Sequence, residues 1–298
     1  MRVDAAVWLE QLISAVPLVC PDDASTLLVS GEGLRCSACR RVFPAINDRS
    51  VNLLPLRPKI LASFSRAYQS NYQEEFNQPY VYAEKALAWG APETTSEQWA
   101  RIRDREATFI LRLLDQRPQP TVLCDFSGGA GYYTLKYARH FNLVLHCDLS
   151  IASLSYVHRK ATAMGLSNIY LLRIDYFNPP FLASLPSVIC LDTLIRGPEH
   201  EGLVLRQLSR SLAPAGKAVV DFHNWWHNPL RKMGLLPDHF RNNRSYTKAE
   251  ADELFRQAGI DALSYTPFYQ EVDPGKPFTS LLRHVIPPTR LVYQFTKR

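Results

Sequence analysis

Three features of the sequence predict an α/β fold whose main body is a doubly wound, largely parallel sheet. Short apolar runs alternate with amphipathic helical patterns from residue 121 to residue 259. A glycine-dense turn, Gly128-Gly129-Ala130-Gly131, directly follows the first of those runs and opens a helical pattern. Successive runs end on Asp125, Asp148, Asp175 and Asp192. The expected organisation is an N-terminal helix and small ribbon over residues 1–56, a helical, aromatic-rich linker or lid over 57–118, and the nucleotide-binding sheet over 119–298.

The composition is compatible with this. A chain of 298 residues can bury a full core, and 46% apolar with 21% charged residues is the balance of a soluble globular protein. The net charge of +6 is spread out, with no block of five Lys or Arg, so an anionic partner is permitted but not demanded. Cys124, Cys147 and Cys190 fall in predicted buried strands, where a thiol acts as a small hydrophobe. That is intracellular usage rather than a secreted disulfide framework. Asp4 and Glu10 interrupt the N-terminal apolar stretch, so Val7, Leu9, Leu12, Ile13 and Val16 read as one face of a short helix and not as a signal peptide. No run reaches the roughly 18 apolar residues of a membrane span. A cytoplasmic protein with no membrane partner is expected.

Residues 18–56 follow, with strand-like stretches around turns at Gly31-Glu32-Gly33 and Asn47-Asp48. Cys36-x-x-Cys39 has the spacing of a metal knuckle. Zinc wants four ligands in a tetrahedron, and the partner of Cys20 would fall at Asp23. In Cys20-Pro21, Cys36-x-x-Cys39, Phe43-Pro44 and Asn52-Leu53-Leu54-Pro55 this segment resembles the zinc-ribbon module of some bacterial methyltransferases. It also resembles the small ribbon-like activator of certain tRNA and protein methyltransferases. Two readings stand: Asp23 or a water completes a structural zinc site with Cys20, Cys36 and Cys39, or a metal-free ribbon survives as a packed fold. Either way the role is structural or docking.

Residues 57–92 place Phe64, Tyr68 and Tyr72 at four-residue spacing on one helix face, followed by Phe76, Tyr80, Tyr82 and Trp89. They read as a helix packed on the main body, or as a lid in which Tyr72, Tyr80 and Tyr82 cover a ligand. Thr94-x-x-Glu97 is a capping box before an amphipathic helix that stops ahead of Pro118.

The sheet opens with the strand Thr121–Cys124, ending on Asp125, and the helix Tyr132–His140. Strands follow at Leu143–Cys147, Ile169–Ile174, Val188–Leu191 and Ala218–Phe222, with a helical stripe at Leu205, Leu208 and Leu212 and a tight turn at Pro214-Ala215-Gly216. A second capping box, Thr247-x-x-Glu250, starts a helix closed by Gly259, and Leu263–Phe268 and Leu291–Phe295 are late strands. In such sheets ligands bind beyond the carboxyl ends of the strands. A crevice rimmed by carboxylates is poor for phosphates. It suits ribose hydroxyls, an exocyclic amine and an ammonium group together, the chemistry of S-adenosylmethionine rather than NAD or ATP.

On Asp125-Phe126-Ser127-Gly128-Gly129-Ala130-Gly131 and the spaced aspartates, residues 121–224 resemble a class I S-adenosylmethionine-dependent methyltransferase, with Ser127 where the family's first glycine stands. Leu208 to Lys217 resembles the family's helix and turn before strand five. The resemblance implies a Rossmann-like fold and a cofactor site that includes Asp125 and Ser127 and in which Gly129 and Gly131 let the backbone meet the methionine part. Asp148 would then hold the ribose, Asp175 accept from the adenine amine, Tyr176 flank the ring, and Asp192 face the methionine end. Asn178-Pro-Pro-Phe181 is similar to a motif of base-amine methyltransferases, but it follows the third strand rather than the fourth and reads as a plain loop.

Methyl transfer needs alignment and, for an oxygen or amine acceptor, a base. His223 and His200, which follow the fifth and fourth strands, are the candidates, and Trp225 is a candidate wall for the acceptor. A small-molecule acceptor is the leading expectation. An rRNA or tRNA methyltransferase, using Arg231, Lys232, Arg241 and Arg244 for phosphates, is the alternative, and intramolecular cyclisation of S-adenosylmethionine is a further one.

Overall fold

The computed structural model describes residues 5–31, 33–58, 97–114, 122–227, 229–235, 244–261, 263–270 and 286–297. Helix α1 (Ala5–Ala15) leads into four short strands, β1 (Leu27–Ser30), β2 (Gly33–Cys36), β3 (Val42–Asn47) and β4 (Ser50–Asn52). Helix α2 (Glu97–Leu114) precedes the alternating part: β5 (Val122–Phe126), α3 (Tyr132–Tyr137), β6 (Leu143–Asp148), α4 (Ile151–Ala163), β7 (Ile169–Arg173), β8 (Leu185–Cys190), α5 (Pro198–Ser211) and β9 (Leu212–His223). A short helix, α6 (Pro229–Lys232), then α7 (Lys248–Gln257), β10 (Leu263–Phe268) and β11 (Arg290–Thr296) complete the described elements. The proposed lid tyrosines Tyr72, Tyr80 and Tyr82 lie outside the described residues. Among the described residues, no helix is long and apolar enough to cross a membrane.

The strands form one sheet in the order β1-β2-β3-β4-β7-β6-β5-β8-β9-β11-β10. The pairs from β4 through β9 are parallel, and both ends of the sheet are antiparallel. The chain winds outward from β5 to β7, then returns to the other side of β5 with β8, so the order reverses between β5 and β8. A crevice for a ligand opens at such a switch point. The ribbon strands are not set apart from this sheet: Ser50–Asn52 pair in register with Leu171–Arg173.

Alternation along the strands explains the layering. Val122, Cys124 and Phe126 face one apolar cluster, shared with Leu9 and Leu12 of α1, Leu205 and Leu208 of α5 and Phe255 of α7. Leu123 faces the other, shared with Ile110 of α2, Tyr137 of α3 and Val157 of α4. Side chains of period two cover both faces, which is why the central strands read as continuous apolar runs.

Two expectations are corrected in detail. Pro214-Ala215-Gly216 is not a turn before strand five but an irregularity inside β9: Leu185 pairs with Leu212 and Ser187 with Lys217, so β9 carries extra residues there. Ala215 takes φ 59°, and a Cβ on Gly216 would meet the Leu185 carbonyl at 2.7 Å. The helix after the glycine turn ends at Tyr137 rather than His140, because His140 N–H closes on the Tyr137 carbonyl at 2.8 Å and tightens the last turn. The capping box before α7 forms as expected: Glu250 N–H donates to Thr247 Oγ1 at 3.3 Å and Thr247 N–H to Glu250 Oε2 at 2.8 Å.

Candidate active site

The glycine turn is held against β6. Ser127 and Gly128 N–H groups donate to the Cys147 carbonyl at 2.8 and 3.0 Å. Ser127, Gly129 and Gly131 take φ values of 71°, 54° and 73°. Left-handed backbone at three of five positions explains why two are glycine. Gly131 is fixed for a second reason, since a Cβ there would lie 2.5 Å from Val157.

Asp125 lies beneath this turn, not on its open side. It is the fourth residue of β5, is 2% exposed, and accepts a hydrogen bond from Thr134 Oγ1 at 2.6 Å. His146 of β6 is fully buried beside it, with Nδ1 2.9 Å from the same hydroxyl. Burial pushes the Asp125 carboxyl up to about 7, partly offset by Thr134, and burial drives the His146 imidazole down to about 3. A carboxyl whose proton affinity is raised and a neutral imidazole share one hydroxyl directly under Gly128. A Cβ on Gly128 would meet His146 Nδ1 at 2.5 Å.

Asp148 ends β6 and faces the turn from its open side. Its Oδ2 accepts from Gly129 N–H and its Oδ1 from Ser150 N–H, each at 2.8 Å. Burial acts to raise the Asp148 carboxyl and these backbone N–H groups act to lower it. A carboxylate has about four acceptor positions, so backbone donors do not exhaust it. Asp175 follows β7, is fully buried, and accepts from Phe177 N–H at 2.9 Å. Next to it, the Tyr176 hydroxyl lies 2.9 Å from His200 Nε2, and Tyr176 and Phe177 stand edge-on to the imidazole at 5.6 and 5.2 Å. His200 is 5% exposed, and its Nδ1 is 3.1 Å from Glu201 Oε2. Glu201 in turn accepts from the Arg196 and Gly197 N–H groups. His200 is thus the middle of a buried Tyr–His–Glu chain at the start of α5.

The tips of β8 and β9 meet in a cluster of charges. Asp192, at φ 55°, donates its N–H to Asp221 Oδ1 at 2.8 Å. Its own Oδ1 lies 3.1 Å from His223 Nε2 and 2.5 Å from Arg290 Nη1, and that same nitrogen is 3.1 Å from Asp221 Oδ2. Burial acts to raise the Asp192 carboxyl, but the Arg290 guanidinium and His223 outweigh it and hold the group well below the carboxylate range. Asp221 is 2% exposed, and burial carries it up to about 7 despite Arg290. Glu106 of α2, 4% exposed, is raised by burial as well and belongs to the same field.

Of the residues singled out in the sequence, the structure brings together His223 and Asp192, Gly129 and Asp148, and Tyr176 and His200. Trp225 packs edge-on to Trp226 at 4.8 Å, and its backbone N–H donates to the Tyr246 carbonyl at 2.9 Å. Arg290, Asp221, Glu106 and His146 were missed. A titratable residue inside each of two apolar strands, Asp221 in β9 and His146 in β6, was the available signal. Asn178-Pro-Pro-Phe181 is a loop that holds the N-terminal segment: the Asn178 amide donates to the Pro21 carbonyl, and Phe181 bridges to Leu18.

Cys20, Asp23, Cys36 and Cys39, far along the chain from this crevice, gather at the base of the ribbon with their ligand atoms within 4.8 Å of one another.

No family model matches the sequence, and no curated protein does. Among solved structures, magnesium protoporphyrin IX methyltransferase from Synechocystis PCC 6803, with bound SAH, is similar over 77% of this chain and 99% of its own, at TM-score 0.53 and 15% identity. Geranyl diphosphate C-methyltransferase from Streptomyces coelicolor A3(2), in complex with Mg2+, geranyl-S-thiolodiphosphate and S-adenosyl-L-homocysteine, is similar over 71% of this chain and 84% of its own, at TM-score 0.52 and 15% identity. At such identities the likeness is one of architecture: this chain has the fold of these two methyltransferases.

Proposed function

We propose that this protein is an S-adenosylmethionine-dependent methyltransferase acting on a small-molecule acceptor. The observation that carries the reading is the row of carboxylates Asp148, Asp175 and Asp192 along the carboxyl edge of the sheet, beside a left-handed glycine turn at the switch point. In this reading Asp148 receives the ribose hydroxyls, and the Asp175–Tyr176 corner receives the adenine. Asp192, the exposed carboxylate at the tip of β8, favours the positive methionine end. Phosphates are disfavoured at each of these places, which argues against a dinucleotide.

S-adenosylmethionine, when bound, supplies the methyl group and leaves as a neutral thioether. The chain's own residues then have two tasks. The turn and the aspartate row fix the donor, so that attack on the methyl carbon is in line. His223, its Nε2 held by Asp192, takes the proton released by an oxygen or nitrogen acceptor. The Asp192 carboxylate fixes the orientation of the ring. His200, buried in the Tyr–His–Glu chain, acts as a positioning residue for Tyr176. The two similar structures are named for small-molecule acceptors, magnesium protoporphyrin IX and geranyl diphosphate, which agrees with a small acceptor here.

The test is incubation with methyl-labelled S-adenosylmethionine and a cell extract. Label should enter the small-molecule fraction with S-adenosylhomocysteine as co-product. Label in RNA would move the acceptor to nucleic acid, methylthioadenosine would indicate cyclisation, and no turnover in any fraction would overturn the assignment.

A further inference from the structure

We propose that Cys20, Asp23, Cys36 and Cys39 bind one zinc ion, with the Asp23 carboxylate as the fourth ligand. The inference is independent of the cofactor reading and rests on the build of the site. Cys20 Sγ and Cys39 Sγ are 3.9 Å apart, and Cys36 Sγ is 3.4 Å from each oxygen of Asp23. All four ligand atoms lie within 4.8 Å of one another. A tetrahedral ion with bonds of about 2.3 Å to sulfur and 2.0–2.2 Å to oxygen sets its ligands roughly 3.5–3.8 Å apart, so the group needs only small side-chain shifts to close.

The two ligand pairs sit on turns of the same design. Cys20 and Asp23 are three residues apart and are followed by Ala24 at φ 61°. Cys36 and Cys39 are three residues apart and are followed by Arg40 at φ 64°. Left-handed backbone at a non-glycine residue costs energy and persists where the surroundings impose it. Here it recurs at the equivalent place after each pair, and it aims two turns at a common centre. Cys36 Sγ also accepts from the Cys39 N–H at 3.4 Å, a bond that settles negative charge on a metal-bound sulfur. Asp23 Oδ1 accepts from Ser25 N–H at 2.9 Å, which orients the carboxylate as outer partners orient metal ligands.

The donor set names the ion. Three thiolates select a thiophilic cation and disfavour magnesium or calcium. Four protein ligands close the coordination sphere, so the ion is structural rather than catalytic. The clamp fastens the Cys20–Asp23 segment to the β2–β3 hairpin. That segment is tied to the loop after β7: Val19 N–H donates to the Pro180 carbonyl at 2.9 Å, and the Asn178 amide donates to Pro21. Zinc would therefore steady the loop that carries Asp175 and Tyr176.

Elemental analysis of the full chain, purified without chelator or a histidine tag, should find one zinc per chain. Cobalt added to metal-stripped protein should produce the absorption of a tetrahedral ion with thiolate charge-transfer bands. Asp23→Ala and Cys39→Ser replace exposed ligands and leave the buried Cys20 and Cys36 in place. Each should weaken cobalt binding roughly tenfold or more, whereas Asp23→Cys should retain it. The proposal is overturned by folded protein that holds no zinc and gives no cobalt spectrum. A Cys20–Cys39 disulfide found by mass spectrometry, or an Asp23→Ala variant that binds cobalt as tightly as the parent, would overturn it equally.

Discussion

Arg290, the first residue of β11, sets its Nη1 2.5 Å from Asp192 and 3.1 Å from Asp221, so the last strand of the chain neutralises the carboxylates at the tips of β8 and β9. The Arg290 side chain is 10% exposed and that of Asp221 2%. Removing one partner of a buried pair leaves the other charge uncompensated, at a cost of about 3–5 kcal/mol. Arg290→Met should lower unfolding stability by that order in urea titration. A loss below about 1 kcal/mol would show that the pairing contributes no more than a surface ion pair.

Asp125 and His146 oppose each other in pH dependence. The Asp125 carboxyl is raised to about 7 in the fold, so its contribution is complete below about pH 4 and is lost as pH rises through 7. The His146 imidazole is lowered to about 3, so its contribution is complete above about pH 6.5 and is lost as pH falls. Between about pH 4 and 6.5 the slopes cancel. Relative to the parent, Asp125→Asn should make stability climb with pH across this window, and His146→Gln should make it fall, each by up to about 1.4 kcal/mol per pH unit. Parallel curves for both variants and the parent, from melts at several pH values, would contradict the buried arrangement.

Gly128 and Gly129 should fail for different reasons. Gly128→Ala places a Cβ 2.5 Å from His146 Nδ1 and 2.9 Å from Asp125 Oδ2, an overpacking defect of about 1–3 kcal/mol. Gly129→Ala meets nothing within 4 Å but must hold φ 54°, at about 1–2 kcal/mol. Asn tolerates left-handed backbone, so Gly129→Asn should recover much of the second loss, and Gly128→Asn none of the first. Thermal melts of the four variants distinguish the two causes.

His223 and His200 should separate in kinetics. His223→Asn should reduce kcat about 10²–10⁴-fold for an oxygen or nitrogen acceptor while leaving cofactor affinity near that of the parent. His200→Asn breaks the buried contacts to Tyr176 and Glu201, so it should lower melting temperature and cofactor affinity together. Equal kcat values for His223→Asn and the parent, at matched pH, would remove His223 from proton transfer.

The central strands were legible because fully buried parallel strands are continuous apolar runs and their helices are amphipathic. Asp148, Asp175 and Asp192 were legible because each ends such a run. The place of Asp125 was not: the same pattern holds whether a carboxylate faces the crevice or turns under Gly128, and only packing against Thr134 and His146 decides it. Arg290 was hidden for another reason. It opens a strand nearly a hundred residues after Asp192, and only the antiparallel pairing of β11 with β9, which sets Arg290 opposite His223, brings it to that tip. The joining of Ser50–Asn52 to β7 was likewise unreadable, since three residues of edge strand carry no periodicity.

The central claim is that the aspartate row receives S-adenosylmethionine, and titration calorimetry tests it most directly with Asp148→Asn beside the parent chain. The parent should bind S-adenosylmethionine and S-adenosylhomocysteine at one site. Loss of a charged acceptor to the ribose, about 1.5–3 kcal/mol, should weaken both ligands in Asp148→Asn by roughly tenfold or more, and because Asn keeps one acceptor oxygen for the two N–H groups of Gly129 and Ser150 the melting temperature should fall as well. Absence of binding by the folded parent chain, or equal affinity in Asp148→Asn, would contradict the account.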